Sequence, residues 1–176
     1  MPEFPSRAAA AVGADPDAVR ALLTDDAFRR QYWSGDLPEH AFWHALAVPV
    51  PSPDERAVIL DLAPLIDPAR VASWREVADV WIISNHRHEW LLPVLAAWGF
   101  DAVVDRIEVS SLCGRVKPDP GAWEVLLEDG LPPARVAVVD DQAPNLDAAR
   151  GLGITPIAAT GDLGWADRLD AWVRAA

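Results

Sequence analysis

The chain has 176 residues, 51% of them hydrophobic and 24% charged, with a formal net charge of −12. This is the make-up of an ordinary globular domain large enough to bury a core. The acidity excludes DNA, RNA and anionic membrane as partners, because phosphate-rich surfaces recruit a surplus of Lys and Arg. No apolar run approaches the roughly 20 residues that span a bilayer.

In chain order, the start MPEFPSRAAAAVG lacks the basic segment and long apolar stretch of a secretory leader. With a single cysteine, Cys113, no internal disulfide can form, and the expected compartment is the cytoplasm. The first third then reads as helices. ADPDAVRALL offers Asp15 as N-cap and Pro16 at the first helical position. GDLPEHAFWHALA repeats the device, with Asp36 and Pro38 ahead of Phe42, Trp43 and Leu46. A Pro-rich joint from Val48 leads into a third helical stretch from Arg56 to Leu65.

From Ala78 the pattern changes. ADVWIISN and RVAVVDD are apolar runs that end abruptly in Ser84-Asn85 and Asp140-Asp141, and AVVDRIEV and GITPIAA are further runs of the same kind. Apolar residues without alternation predict strands buried on both faces, as in a parallel sheet. The segments HEWLLPVLAAWG, PGAWEVLLEDG and APNLDAARGLG have helical spacing and end in Gly. Strand and helix in alternation predict an α/β sheet with helices on both faces, a three-layer Rossmann-like arrangement. Ligands of such sheets sit beyond the carboxyl ends of the strands, where Ser84, Asn85, Asp140 and Asp141 fall.

One more residue attracts notice. Fourteen of the fifteen basic residues are arginine, and the lone lysine, Lys117, stands in GRVKPDP. A compact ammonium suits a tight point-charge position that a planar guanidinium would not fit. Lys117 can thus place one charge among carboxylates and phosphate oxygens, Ser84 and Asn85 can offer a hydroxyl and loop amides to an anion, and Asp140 and Asp141 can hold a hard cation such as Mg²⁺.

This set resembles the haloacid dehalogenase (HAD) superfamily, whose members are mostly Mg²⁺-dependent phosphatases. IISN is similar to its second motif, with Ser84 as the phosphate-binding hydroxyl. GRVKPDP is similar to the third, with Lys117 steadying nucleophile and phosphate. VVDDQAPNLDAARGLG is similar to the fourth, with Asp141 as the direct metal ligand and Asp140 beside it. YWSGDLPEHAFWHAL resembles the helical cap of such enzymes. The resemblance implies a helical cap-like region over residues 14–66 and an α/β core over 67–176.

The first motif, a strand ending in Asp-x-Asp that carries the nucleophile, has no counterpart. Residues ahead of the cap begin Met-Pro-Glu-Phe-Pro, a poor central strand. Asp15 and Asp17 flank a proline and read as a helix start. Asp61 follows an apolar run but stands too near Ser84 for an intervening strand, flap and helix, and a helix is the expectation there too. Other candidates have plainer readings. His86 and His88 are expected to be solvated, His40 and His44 to lie on the surface, and Cys113 to be a small buried side chain. The expected protein keeps the anion and metal motifs without a nucleophile. It binds a phosphorylated or acidic small molecule, holds Mg²⁺ weakly, and pairs with itself or a protein partner. The alternative is a Mg²⁺-dependent phosphatase whose first strand lies upstream of this sequence.

Overall fold

In the computed structural model, residues 3–61, 64, 66–128 and 130–175 are described. The opening segment, read above as a poor strand, is a helix. In α1 (Phe4–Val12), Pro5 sits in the first turn, where an absent N–H costs no hydrogen bond, and Gly13 ends the helix at φ 73. For α2 (Pro16–Thr24) the Asp15 carboxylate accepts from the Asp17 amide at 2.9 Å, and for α3 (Asp26–Ser34) Asp25 accepts from the Phe28 amide at 2.7 Å. After α4 (Glu39–Ala45), α5 (Pro53–Leu60) opens with a reciprocal box in which Ser52 and Glu55 each bond the other's backbone amide. The third helix therefore starts at Pro53 rather than Arg56, because the Pro-rich joint supplies a cap. It stops at Leu60, with Asp61 at φ 40. Of its expected tail, Leu62, Ala63 and Leu65 lie outside the described residues.

The α/β part follows as α6 (Pro68–Arg75), β1 (Trp81–Ser84), α7 (His88–Ala97), β2 (Arg106–Val109), α8 (Ser110–Cys113), α9 (Gly121–Glu124), β3 (Ala137–Asp140), α10 (Ala143–Gly151), β4 (Thr155–Ala158) and α11 (Gly164–Ala175). The apolar runs ending at Ser84 and Asp140 are strands, as their composition predicts. AVVDRIEV yields only β2, and PGAWEVLLEDG yields α9 followed by a 3₁₀ turn over Val125–Leu127. Among the described residues β1 pairs with β2, and β3 pairs with β4 in parallel, from Ala137 opposite Thr155 to Asp140 opposite Ala158. The architecture is the α/β, Rossmann-like kind with an incomplete sheet.

Two compact units form. The first comprises Met1–Pro64, Ser84–Ala102 and Glu108–Gly114, and the second Leu65–Ile83, Val103–Ile107 and Arg115–Ala176. The first is helical and built around Phe4, Val19, Tyr32, Phe42, Trp43, Ile59, Leu60 and Trp90. A buried carboxylate in it, Glu39, accepts two bonds from the Arg56 guanidinium at 2.9 and 2.6 Å and a third from Trp90 Nε1 at 2.6 Å. The start of α7 has no side-chain cap of its own. The Ser110 and Ser111 hydroxyls accept from the amides of His86 and His88 at 3.1 and 2.9 Å instead. The core of the second unit is Trp123, Val136, Val138, Leu146, Ala149 and Ile154, with Ile83 packed against it.

Candidate functional site

The carboxyl end of β3 delivers Asp140, and the loop ahead of α9 delivers Lys117. The Lys117 ammonium donates to Asp140 Oδ2 at 2.7 Å and to the main-chain carbonyl of Ile83, in β1, at 3.0 Å. The second carboxylate oxygen, Oδ1, accepts from the Gln142 amide at 2.8 Å and from Asn145 Nδ2 at 2.9 Å. The side chains of Lys117 and Asp140 are only 12% and 4% exposed, so each charge depends on the other to offset its lost hydration. The Lys117 ammonium also stands 5.4 Å from the centre of the Trp123 ring, a cation–π distance. A three-donor point charge can meet a carbonyl, a carboxylate and a ring face in directions that a flat fork cannot.

Burial alone would push the Asp140 carboxyl up. The bonds from Lys117, Asn145 and the Gln142 amide outweigh it and hold the group below the usual carboxylate range. Asp140 is therefore a fixed anion with both oxygens engaged. Asp141, the next residue, is exposed. Ser84 closes β1 and Asn85 follows it, both half-buried. The Ile83 carbonyl held by Lys117 belongs to the peptide that carries the Ser84 nitrogen, so the ammonium fixes the end of β1 as well as Asp140.

Reading the sequence missed two members of this network. Asn145 lies five residues after Asp140, in the first turn of α10, which returns its amide to the strand end. Trp123 follows the lysine loop in α9. The signals were present in DDQAPN and KPDPGAW, but each depends on a helix start bending back towards the strand. Of the other aspartates weighed as nucleophiles, neither ends a strand: Asp15 caps α2 and Asp61 follows the end of α5. Among the described residues Asp140 is the only carboxylate to end a strand.

The histidines need a correction. His40 and His44 are exposed, as expected, but His86 is not solvated. Its Nε2 is buried, its ring centre lies 5.6 Å from that of Trp33, and burial lowers its pKa. The reason is that His86 precedes α7 rather than lying on it, and the Ser110 hydroxyl fixes its amide. His88 is half-buried and its Nδ1 is 3.1 Å from the Ser111 hydroxyl. Cys113 is half-buried.

The donors present do not make an octahedral Mg²⁺ site. Asp140 is engaged on both oxygens, Asp141 is one carboxylate, and among the described residues no three His, Cys, Asp or Glu side chains gather as a metal-holding group.

Comparison with known proteins fits this geometry into a wider set. The family model of the haloacid dehalogenase-like hydrolases matches residues 9–153. No curated protein matches the sequence. Among solved structures, one described as a predicted HAD-like family hydrolase from Porphyromonas gingivalis superposes with a TM-score of 0.80 at 18% identity, over 98% of this chain and 89% of that one. A HAD family enzyme from Bacteroides thetaiotaomicron, solved with magnesium and inorganic phosphate, gives 0.63 at 16% identity, over 86% and 90%. An L-2-haloacid dehalogenase gives 0.60 at 20%, over 90% and 79%. At these identities the likeness is one of fold.

Proposed function

We propose that this chain, which belongs to the haloacid dehalogenase-like hydrolase family, binds a phosphorylated or acidic small molecule without turning it over by an aspartyl-phosphate route. The observation that carries the reading is the state of Asp140. Nucleophilic catalysis by a carboxylate needs an oxygen that phosphorus can approach. Asp140, the only strand-ending carboxylate among the described residues, is 4% exposed and bonded through both oxygens. Lys117 supplies the positive charge for the ligand. The donor roles that the family pattern gives Ser84 and Asn85 belong to the same reading.

The 176-residue chain is expected to show negligible hydrolysis of generic phosphate esters with Mg²⁺ present. A turnover above about 1 s⁻¹, the low end for ordinary enzymes, that vanishes in Asp141→Asn would overturn this. Mg²⁺ binding, measured by calorimetry, is expected to be weaker than micromolar, because Asp141 offers one carboxylate where an octahedral ion wants several oxygens. If an Asp-x-Asp strand precedes this sequence in a longer protein, a Mg²⁺-dependent phosphatase is the alternative, and the upstream coding sequence decides it.

A second reading concerns partners. Among the described residues each strand belongs to a two-stranded sheet and so keeps one unpaired side. Two-stranded sheets are marginal, and open edges are templates for a further strand. A second copy or a protein partner that adds a strand would relieve this. Light scattering at micromolar concentration tests it: a homodimer or complex is expected, and a monodisperse monomer with a cooperative melt would refute it.

A further inference from the structure

The chain has four histidines, and two of them, His40 and His44, lie in α4 with both side chains exposed. Residues four apart on a helix are neighbours on one face, with Cβ atoms about 5–6 Å apart. The rotation of α4 is fixed by what it buries. Phe42 and Trp43, between the two histidines in sequence, are 1% and 0% exposed in the helical core. At the helix start the buried Glu39 carboxylate is held by Arg56 and Trp90. At its end the amides of Leu46 and Ala47 bond the Trp43 and His44 carbonyls at 3.2 and 3.0 Å, so the turn that carries His44 is tied down. Helix α4 therefore cannot roll to part the two imidazoles or to bury one of them.

The other two histidines are placed differently. His86 Nδ1 lies 3.1 Å from the Arg87 carbonyl and His88 Nδ1 3.1 Å from the Ser111 hydroxyl, and His86 precedes α7. Among the described residues no hydrogen bond or ion pair engages the ring of His40 or His44. Two imidazoles on one helix face are a chelating pair, the arrangement that His-x₃-His spacing gives to zinc sites. Imidazole nitrogen suits Zn²⁺, Ni²⁺ and Cu²⁺, whereas Mg²⁺ takes oxygen donors. Among the described residues no third His, Cys, Asp or Glu joins the pair, so water fills the remaining positions and the ion exchanges freely.

We infer that His40 and His44 form a surface chelate for one transition-metal cation of the Zn²⁺, Ni²⁺ or Cu²⁺ class, held through both imidazoles. The site is separate from the Lys117–Asp140 network and does not depend on the reading given to that network.

The test is a titration of the 176-residue chain with Zn²⁺, followed by the ring resonances of the four histidines. His40 and His44 should shift together along one saturation curve while the buried His86 stays in place, and Mg²⁺ at the same concentration should move none of them. By calorimetry Cu²⁺ should bind more tightly than Ni²⁺ or Zn²⁺, following the usual order for nitrogen sites. Because the second imidazole binds intramolecularly, His40→Ala or His44→Ala should each weaken Zn²⁺ binding by about tenfold or more. The double variant His44→Ala/Ala45→His keeps the number of histidines but sets the pair five apart, on different faces, and should bind as weakly as His44→Ala. All these positions but the first-turn His40 lie in the last turn of α4, and all are exposed, so the fold should survive each change. The inference is overturned if His40 and His44 follow separate curves or fail to saturate. It is overturned equally if the five-apart variant binds Zn²⁺ as tightly as the natural spacing, or if the affinity persists in His40→Ala/His44→Ala.

Discussion

Replacing Lys117 by methionine keeps the length and apolar character of the side chain and deletes its charge. The consequence can be worked out from the bonds it makes. Asp140 keeps the Gln142 amide and Asn145 Nδ2 on one oxygen but loses the 2.7 Å ion pair on the other, at a side-chain exposure of 4%. Leaving one member of a buried pair behind costs about 3–5 kcal/mol, a large part of the roughly 5–15 kcal/mol that holds a domain together. With a urea slope of about 2 kcal/mol per molar, the unfolding midpoint should fall by about 1.5–2.5 M at pH 7. Amide exchange should accelerate most in β3 and α10, which the pair anchors. Asp140→Asn, which keeps its acceptor oxygen, should cost less, and the double variant Lys117→Met/Asp140→Asn should cost less than the sum. The pH dependence has a definite sign. The folded pKa of Asp140 lies below its unfolded value, so its contribution is present above the ordinary carboxylate range and is lost as pH falls through the depressed folded value. The gap between wild type and Lys117→Met should therefore narrow in acid. Additive single effects, or a midpoint shift under about 0.3 M in Lys117→Met, would refute the view that this ion pair holds the strand end.

The remaining expectations concern the helical unit. Gly35 has φ +89, and a Cβ there would clash with the Ser111 carbonyl oxygen, whereas Gly13 at φ +73 has open space around it; by thermal melting, Gly35→Ala should cost more than about 3 kcal/mol and Gly13→Ala about 1–2 kcal/mol, and equal costs would refute the clash. His86 has a folded pKa below its unfolded value, so stability should be complete above pH about 6.5 and decline as pH falls below it; His86→Gln should flatten that part of the urea-midpoint profile, and an unchanged slope would show that His86 does not titrate on unfolding.

How much of this was legible in the sequence varies with range. The ends of β1 and β3 were visible because an apolar run that stops at Ser84-Asn85 or Asp140-Asp141 marks a buried strand meeting polar surroundings. The caps at Asp15 and Ser52 are local chemistry, readable from neighbouring residues. The helix at Phe4–Val12 is less legible, because its prolines mark a broken strand as readily as a helix start, although four successive alanines favour a helix. His86 was misjudged for a different reason. Nothing within a few residues announces that Ser110, 24 positions on, holds its amide, or that Trp33 lies against its ring. Long-range partners bury a polar loop residue, and no local pattern encodes them. The same limit separates Asp140 from Asp141. Adjacent and chemically identical, they differ because Asp140 is the buried last residue of β3 and Asp141 stands exposed in the bend beyond it.

That difference gives the lone lysine two opposed duties. Its ammonium is the partner that makes a buried Asp140 tolerable, and under the proposed function it is also the charge offered to an incoming anion. An anion that draws on Lys117 competes with Asp140 Oδ2, already at 2.7 Å, so affinity is reduced by the strength of the resting pair. Removing the aspartate's charge should then move stability and affinity in opposite directions. Asp140→Asn should lower the urea midpoint while tightening inorganic phosphate binding, measured by calorimetry, because the ammonium is no longer neutralised. Lys117→Met should lower both. Arginine in its place restores the charge but not the compact shape, so Lys117→Arg should recover less than half of the lost stability. If Asp140→Asn instead weakened phosphate binding as much as Lys117→Met does, the aspartate would be part of the anion's support rather than its rival, and this account of the lysine would fail.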